Sequence, residues 1–541
     1  MGKKHTIYSM KKTTENKGNT RNFVGGALIL SLGGLLAKIL GALYRIPLTN
    51  ILGSYGMGLY QLVFPPYILF LTVAQAGVPV ALSKLIAENN QLGTPQNGKK
   101  IFRCAFVTLA LSGLASAVAM AALSGVIAGA QGNADTAKAF VVVAPALLFV
   151  PVTNVLKGYF QGNFDMIPCG ATSVIEQIVK LAVGLSLAVR FMPDVEKAVL
   201  GAVFAVTASE LGSLVIMSVV YAVRRKKEGK RDKLPRLQRS DCAHSLKQIF
   251  ALATPVALGA FVMQLSQVID SVMVVNLLAV PNATEVYGLW TGPVNSMLGL
   301  PIALSGGVAV SALPGITKAY VSGDKDKLTA SFNIAIKLTM VIALPCTLGM
   351  IALSAPILKL LYGGLPAEEI HTAAVMLSLS GLSIVCLALS GTCVSVCQAV
   401  GKPYASVVIV AAAIVVKAVA NLLLLPTDKV NVYGAAISET LCYLFAAVCV
   451  IMYLRRAVGL RVDGNECVVK PLAAGMVMTF VITVAVSFAR DWVDTAVGTL
   501  TLIALCAAVY LGVLGLLKTF SKAELGLFVR KSSGESKAEE T

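Results

Sequence analysis

Lys38 and Arg45 stand seven residues apart inside an otherwise apolar stretch, LGGLLAKILGALYRIPLTNILGSYGMGLYQ, residues 32–61. A cation near the middle of a membrane helix costs roughly 2.5–3.5 kcal/mol on insertion scales, so two on one run call for a polar surrounding. At 100° per residue the pair share a flank, while Gly33, Ala37 and Gly41 form a ridge of small residues about a quarter turn away. One face of such a helix can pack closely on a neighbour while the next offers positive charge to an anion. Lysine serves a phosphate as a point charge and arginine as a fork.

Further charges interrupt later apolar runs: Glu176, Lys180, Glu210, Asp270, Lys337, Lys417 and Glu439. At 1.5 Å per residue from the nearer loop, Lys180 and Lys417 lie near mid-span, too deep to snorkel. Lys38, Arg45, Lys180 and Lys417 are therefore the candidate substrate-binding cations. Glu176 stands one turn before Lys180 and Glu210 falls at similar depth in the next run, so a structural ion pair with these acids is the alternative role for Lys180. Lys417 has no acid within a turn on its own helix. Gln264, Gln267 and Ser271 form a polar stripe leading to Asp270, which with Glu439 lies toward the outer side. Two such carboxylates could couple transport to Na+ or H+, or could pair with a cation. Lys337, within about two turns of the inner edge, is expected to snorkel.

The elements that must hold these charges are membrane helices. The 541-residue chain is 56% hydrophobic and 13% charged, with mean hydropathy +0.79, against about 45–50% apolar and about 25% charged in soluble domains. This is an all-α polytopic membrane protein, and requiring roughly 20 apolar residues per crossing gives about fourteen spans. With a cytoplasmic N-terminus, most of the 45 Lys and Arg fall in inner segments, which accounts for the net charge of +18 by topology and without nucleic acid. The basic segment RRKKEGKRDKLPRLQR, lying on membrane lipids, separates two halves of six spans. The expected organisation is a cytoplasmic N-tail (1–23), an N-lobe (24–222), a basic cytoplasmic linker (223–246), a C-lobe (247–454), a loop with two further spans (455–518) and a cytoplasmic tail (519–541).

Short internal matches support two related lobes. GVPV at 77–80 corresponds to GVAV at 307–310, and Gln161 precedes Lys180 by the same nineteen positions as Gln398 precedes Lys417. Mid-span prolines such as Pro65, Pro151, Pro301 and Pro345 permit the bends that alternating access needs. Nearly all of the eleven cysteines lie in apolar runs, and His5, His244 and His371 are scattered, so neither disulfides nor a metal are expected. There is no Walker loop, no HExxH and no large extramembrane domain, which argues against an enzyme. No cofactor is called for beyond a coupling Na+ or H+, and the expected state is a monomer. The basic N-tail precedes a long run without a small-residue cleavage site, so the first helix is read as retained.

The opening run, VPVALSKLIAE at 78–88, GYFQG at 158–162 and SVIEQIVK at 173–180 together resemble the polysaccharide biosynthesis and stage V sporulation protein B family. That family lies within the multidrug, oligosaccharidyl-lipid and polysaccharide exporter superfamily. The resemblance spans residues 24–330. It implies fourteen helices with two six-helix lobes forming a V, in the cell membrane. It also implies alternating-access transport of a polyprenyl-pyrophosphate-linked sugar or peptidoglycan precursor from inner to outer leaflet, in the service of cell wall or sporulation. In the related peptidoglycan-precursor flippases, positive residues on the first span contact the pyrophosphate. Lys38 fits that role by motif context, while the spacing of Arg45 from it departs by one. Those relatives carry an arginine on the eighth span that LWTGPVNSMLGLP at 289–301 lacks. The runner-up is a cation-coupled multidrug and toxin extrusion-type antiporter, whose cavity should be acidic and aromatic. A membrane-embedded glycosyl or phosphate transferase would need larger outer loops than this chain has.

Overall fold

A computed structural model describes residues 2–75, 77–227, 239–427 and 430–519, with side chains from Leu32 onward apart from scattered positions. In lipid a backbone can satisfy its hydrogen bonds only internally, so long Leu-, Val- and Ala-rich runs become helices. Two compact units result, divided between Gly292 and Pro293. The first holds α1 (Gly2–Gln75), α2 (Val78–Gln91), α3 (Pro95–Ala122), α4 (Ser124–Ala130), α5 (Ala137–Val143), α6 (Ala146–Gly162), α7 (Ile167–Phe191), α8 (Val195–Lys227), α9 (Arg239–Leu277) and α10 (Ala283–Leu289). The second holds α11 (Asn295–Val321), α12 (Lys325–Ala352), α13 (Ser354–Leu361), α14 (Ala367–Ala399), α15 (Pro403–Leu424), α16 (Gly434–Val458), α17 (Lys470–Phe488), α18 (Arg490–Val493) and α19 (Ala496–Leu516).

Twelve helical stretches among the described residues are long and apolar enough to cross a membrane. One of them, Leu32–Gln91, is 60 residues long and is broken at Gly53, whose φ of 70° and ψ of −177° leave the helical region. It therefore supplies two crossings, since about 20 residues suffice for one. α11, 27 residues long, brings the total to the fourteen read from the sequence.

In the first unit α1 packs on α7, α9 and α10, and α6 on α2, α3 and α8. Tyr44, Leu48, Val63, Phe140, Leu147 and Val203 form the centre of its larger core, and Leu82, Ile86, Phe102, Val155, Phe160 and Met217 that of a second. α9 also packs on α2 and α3, with a Cβ on Gly77 calculated to fall 2.9 Å from the Ala253 carbonyl oxygen. Residues 247–292 thus sit with the first unit, where the sequence division had grouped them with the second half. Linker residues 228–238 and the tail from 520 onward lie outside the described residues. In the second unit α14 packs on α11, α12 and α16, α15 on α16, and α17 on α12 and α19.

Exposed residues identify the faces turned to lipid. Val408, Val415, Val419 and Leu422 form an exposed row along one side of α15, a large apolar surface of the kind water does not tolerate. Lys417 lies about 180° from that row by helical phase, with the buried Ser406, Ala413, Ala420 and Asn421 on the same side.

Candidate functional site

Glycine ridge and apolar row together fix how the first leg of α1 is turned. A Cβ on Gly33 would come within 2.9 Å of Gly170 Cα, and one on Gly41 would stand 3.4 Å from Gln177 Oε1. Further along, Tyr44 lies against Gly184. Contacts that advance together on both helices make α1 and α7 parallel, which requires an even number of crossings between their starts. The predicted small-residue ridge is therefore the α7-facing surface. Leu32, Leu36, Ile39 and Leu43 form the exposed apolar row of the same leg. Lys38 and Arg45 fall on a third flank, about 120–140° from that row by helical phase, Lys38 exposed and Arg45 half-buried.

On α7, Lys180 lies between the Gln177 and Gly184 contacts, and this register delivers its ammonium to aromatic rings. Nζ stands 5.5 Å from the centroid of Tyr44 and 5.9 Å from that of Phe64, on the second leg of α1. The negative faces of two rings stabilise a cation that has left water. Arg45 follows Tyr44 in sequence and acts electrostatically on Lys180, as do Glu176 and Glu210. Thr49 Oγ1 donates to the Arg45 carbonyl at 2.8 Å.

The carboxylates form the other half of the cluster. Glu176 lies 3.7 Å from Lys157 Nζ through Oε2, which also accepts from Ser213 Oγ at 3.4 Å, while Oε1 accepts from Gln177 Nε2 at 3.3 Å. Lys157 Nζ donates as well to Ser173 Oγ at 3.5 Å. Glu210, from α8, lies beside Glu176 and in the field of Lys157 and Lys180. Four helices thus bring together three cations, Arg45, Lys157 and Lys180, with two acids, Glu176 and Glu210. Ionised, the group keeps a positive surplus suited to a phosphate.

Of the residues singled out from sequence, Arg45, Glu176, Lys180 and Glu210 meet in this cluster. Glu176 does belong to an ion pair, but the cation it closes on is Lys157, which sequence reasoning passed over. Lys157 is near the end of its apolar run, where a lysine reads as an edge residue; its position one residue before GYFQG was the available signal. Asp270 is half-buried on α9 of the first unit, and the adjacent Ser271 accepts from Gln131 Nε2 at 3.0 Å. Lys417 and Glu439 are half-buried in the second unit, on the packed pair α15 and α16. Lys337 does not snorkel: its side chain is 8% exposed and lies 3.5 Å from Glu466 Oε2, while Lys470 pairs with Oε1 of the same carboxylate. Among the described residues no group of His, Cys, Asp and Glu could hold a metal ion, and the ten described cysteines are free.

A multi-pass helical membrane protein with a cationic cluster inside one of its units has the architecture of a transporter. Residues 23–320 match the family described as polysaccharide biosynthesis protein, and the chain belongs to that family. Residues 255–423 also match the MatE family. Among curated relatives, the chain is 24% identical over 493 residues to the lipid II flippase MurJ of Bacillus subtilis (strain 168), covering 86% of this chain and 88% of that protein. It is 27% identical over 308 residues to the stage V sporulation protein B of the same organism, covering 55% of this chain and 58% of the relative. Among solved structures, an inward closed lipid II flippase MurJ superposes with a TM-score of 0.70 at 17% identity, covering 91% of this chain and 99% of the other. An inward-facing multidrug resistance MATE family transporter gives 0.65 at 17% identity, with 78% and 94% covered. The all-α polytopic fold expected from hydropathy is thus established, as is the family indicated by the motifs.

Proposed function

We propose that the protein is a flippase that moves a polyprenyl-(pyro)phosphate-linked oligosaccharide or peptidoglycan precursor across the membrane by alternating access. The observation that carries this reading is the positive surplus at Arg45, Lys157 and Lys180, built around two acids on helices that belong to the polysaccharide biosynthesis family. A pyrophosphate carries negative charge that must be met while the headgroup is out of water, and intramembrane cations meet it without a metal. Lys38, exposed on the flank it shares with Arg45, would be the first contact. Lys417, on the buried face of α15, would serve later in the path. The lipid II flippase among the relatives supports the substrate class.

With the N- and C-termini in the cytoplasm, the basic segments face the inner surface, in keeping with the positive-inside rule. Transport then runs from inner to outer leaflet. Na+ or H+ at Asp270 and Glu439, or the membrane potential, would return the carrier to its starting state. The protein acts as a monomer, with membrane lipids and the lipid-linked sugar as its partners, and performs no covalent chemistry. The match of residues 255–423 to MatE favours a second reading, a cation-coupled antiporter. Such a carrier should present acidic groups to organic cations, and the first-unit cluster has the opposite balance.

Reconstitution with a fluorescent lipid-linked sugar separates the two. The flippase reading expects leaflet exchange in wild type and its loss in Arg45→Ala and Lys180→Ala. Unchanged exchange in both variants, together with ethidium efflux driven by a cation gradient, would transfer the assignment to the antiporter.

A further inference from the structure

The end of the first unit where α8 runs into the basic segment contains a cavity of about 300 Å³ that the cluster above does not use. Tyr159, Phe160, Asn163 and Asp165, from the end of α6 and the turn after it, form one wall; Tyr221, Arg224 and Arg225, from the last turns of α8, form the other. The turn is specific. Phe164 adopts φ 59°, a left-handed conformation that bulky residues rarely enter, while its N–H donates to the Gln161 carbonyl at 3.0 Å and that of Asp165 to the Phe160 carbonyl at 2.9 Å. That conformation leaves the Phe164 ring 43% exposed and brings Asp165 Oδ2 to 2.9 Å from Arg224 Nη2. Asn163 is fixed as well, accepting from Asn90 Nδ2 at 2.9 Å and donating to the Tyr159 carbonyl at 2.8 Å.

The floor is aromatic and braced. Tyr159 and Tyr221 meet edge to face at 5.3 Å, and both lie against Phe102, at 4.8 and 5.4 Å. Asp165 offsets one guanidinium and orients it, while a guanidinium has five donors and one carboxylate contact does not exhaust them. Arg225 adds a second positive charge. The cavity therefore offers forked guanidinium donors over an aromatic floor, with the exposed Phe164 on the turn that carries Asp165, at the end of a bundle of membrane helices. Forked guanidinium donors recognise phosphate oxygens, and an exposed aromatic ring at a membrane boundary lodges among headgroups. The sequence that follows Arg225, KKEGKRDKLPRLQR, is itself net basic and adds no surplus of negative charge to balance the two arginines.

We propose that this cavity binds the phosphate of an anionic phospholipid headgroup, at a site separate from the transport cluster. The test uses the full chain in detergent, native mass spectrometry as readout, and dioctanoyl phosphatidylglycerol, dioctanoylglycerol and inorganic phosphate as probes. One phosphatidylglycerol should be retained per chain, and dioctanoylglycerol should not compete with it. The double variant Arg224→Gln/Arg225→Gln should lose about tenfold in affinity. Arg225→Gln alone, which keeps the Arg224–Asp165 pair and with it the fold, should lose severalfold. Lys226→Gln, exposed on the same turn but outside the cavity wall, should bind as wild type does. Equal weakening by Lys226→Gln, or no weakening by either arginine variant, would reduce the site to general basic attraction and overturn the proposal. Inorganic phosphate binding as tightly as the lipid would overturn the lipid assignment.

Discussion

Lys157 on α6 and Glu176 on α7 stand 3.7 Å apart, and Ser213 of α8 donates to the same carboxylate oxygen from 3.4 Å, so one acid ties three helices together. The two charged side chains are 18% and 16% exposed, so neither recovers full hydration if its partner is lost. Lys157→Met should lower stability by about 2 kcal/mol, while Lys157→Met/Glu176→Gln, which removes both charges, should regain most of it. Thermal unfolding of the purified chain in detergent reads both. Equal melting of the single and double variants would mean that the pair contributes nothing.

The approach of α1 to α7 gives a sharper steric prediction. Gly33 meets the Gly170 backbone with no room for a Cβ, whereas a Cβ on the adjacent Gly34 would find nothing within 4 Å. Gly33→Ala should destabilise by about 1–3 kcal/mol through forced separation of the helices. Gly34→Ala should be neutral or slightly stabilising, because alanine is the better helix former. Reversal of that order in a melting experiment would refute the parallel packing of the two helices.

That packing marks where sequence is informative and where it stops. The ridge of Gly33, Ala37 and Gly41 was legible because 100° per residue is a property of the helix itself, but the partner helix, beginning 134 residues later at Ile167, was not. Glu176 and Lys180 share a helix face four residues apart, so local spacing suggested that they pair. Lys157 from α6 is the cation Glu176 closes on, and packing between helices leaves no local trace. Lys337 was assigned to the inner edge from depth alone, because its acid Glu466 lies in a segment between α16 and α17. The grouping of α9 with the second half differs from the compact units for a related reason: a charged linker marks topology, while compactness follows contacts such as that of Gly77 with Ala253.

Lys180 should matter for cargo in proportion to how its charge is held. Lys180→Gln removes the charge and should reduce leaflet exchange of a fluorescent lipid-linked sugar by about tenfold, equivalent to about 1.4 kcal/mol. Phe64→Leu keeps the charge and removes one of the two rings beneath it, at 5.9 Å, for a loss of about 0.5–1 kcal/mol and a reduction of severalfold. A Phe64→Leu effect as large as that of Lys180→Gln would place the function in the ring rather than in the ammonium.

Glu466 serves two lysines, and their unequal burial predicts unequal effects. Lys337 is 8% exposed and Lys470 is 23% exposed. In Glu466→Gln the Lys337 ammonium loses its carboxylate partner in a place where water reaches it poorly, so the variant should be less stable by about 3 kcal/mol. Lys470 can turn toward solvent, and Lys470→Met should cost no more than about 1 kcal/mol, since the Lys337–Glu466 contact survives it. If desolvated charge is the cause, adding Lys337→Met to Glu466→Gln should restore most of the lost stability, because a methionine of similar length fills the space without a charge to satisfy. Detergent unfolding of the two single variants and the double variant decides the matter: a double variant no more stable than Glu466→Gln would show that Glu466 acts by positioning its own segment, 465–469, and not by neutralising Lys337.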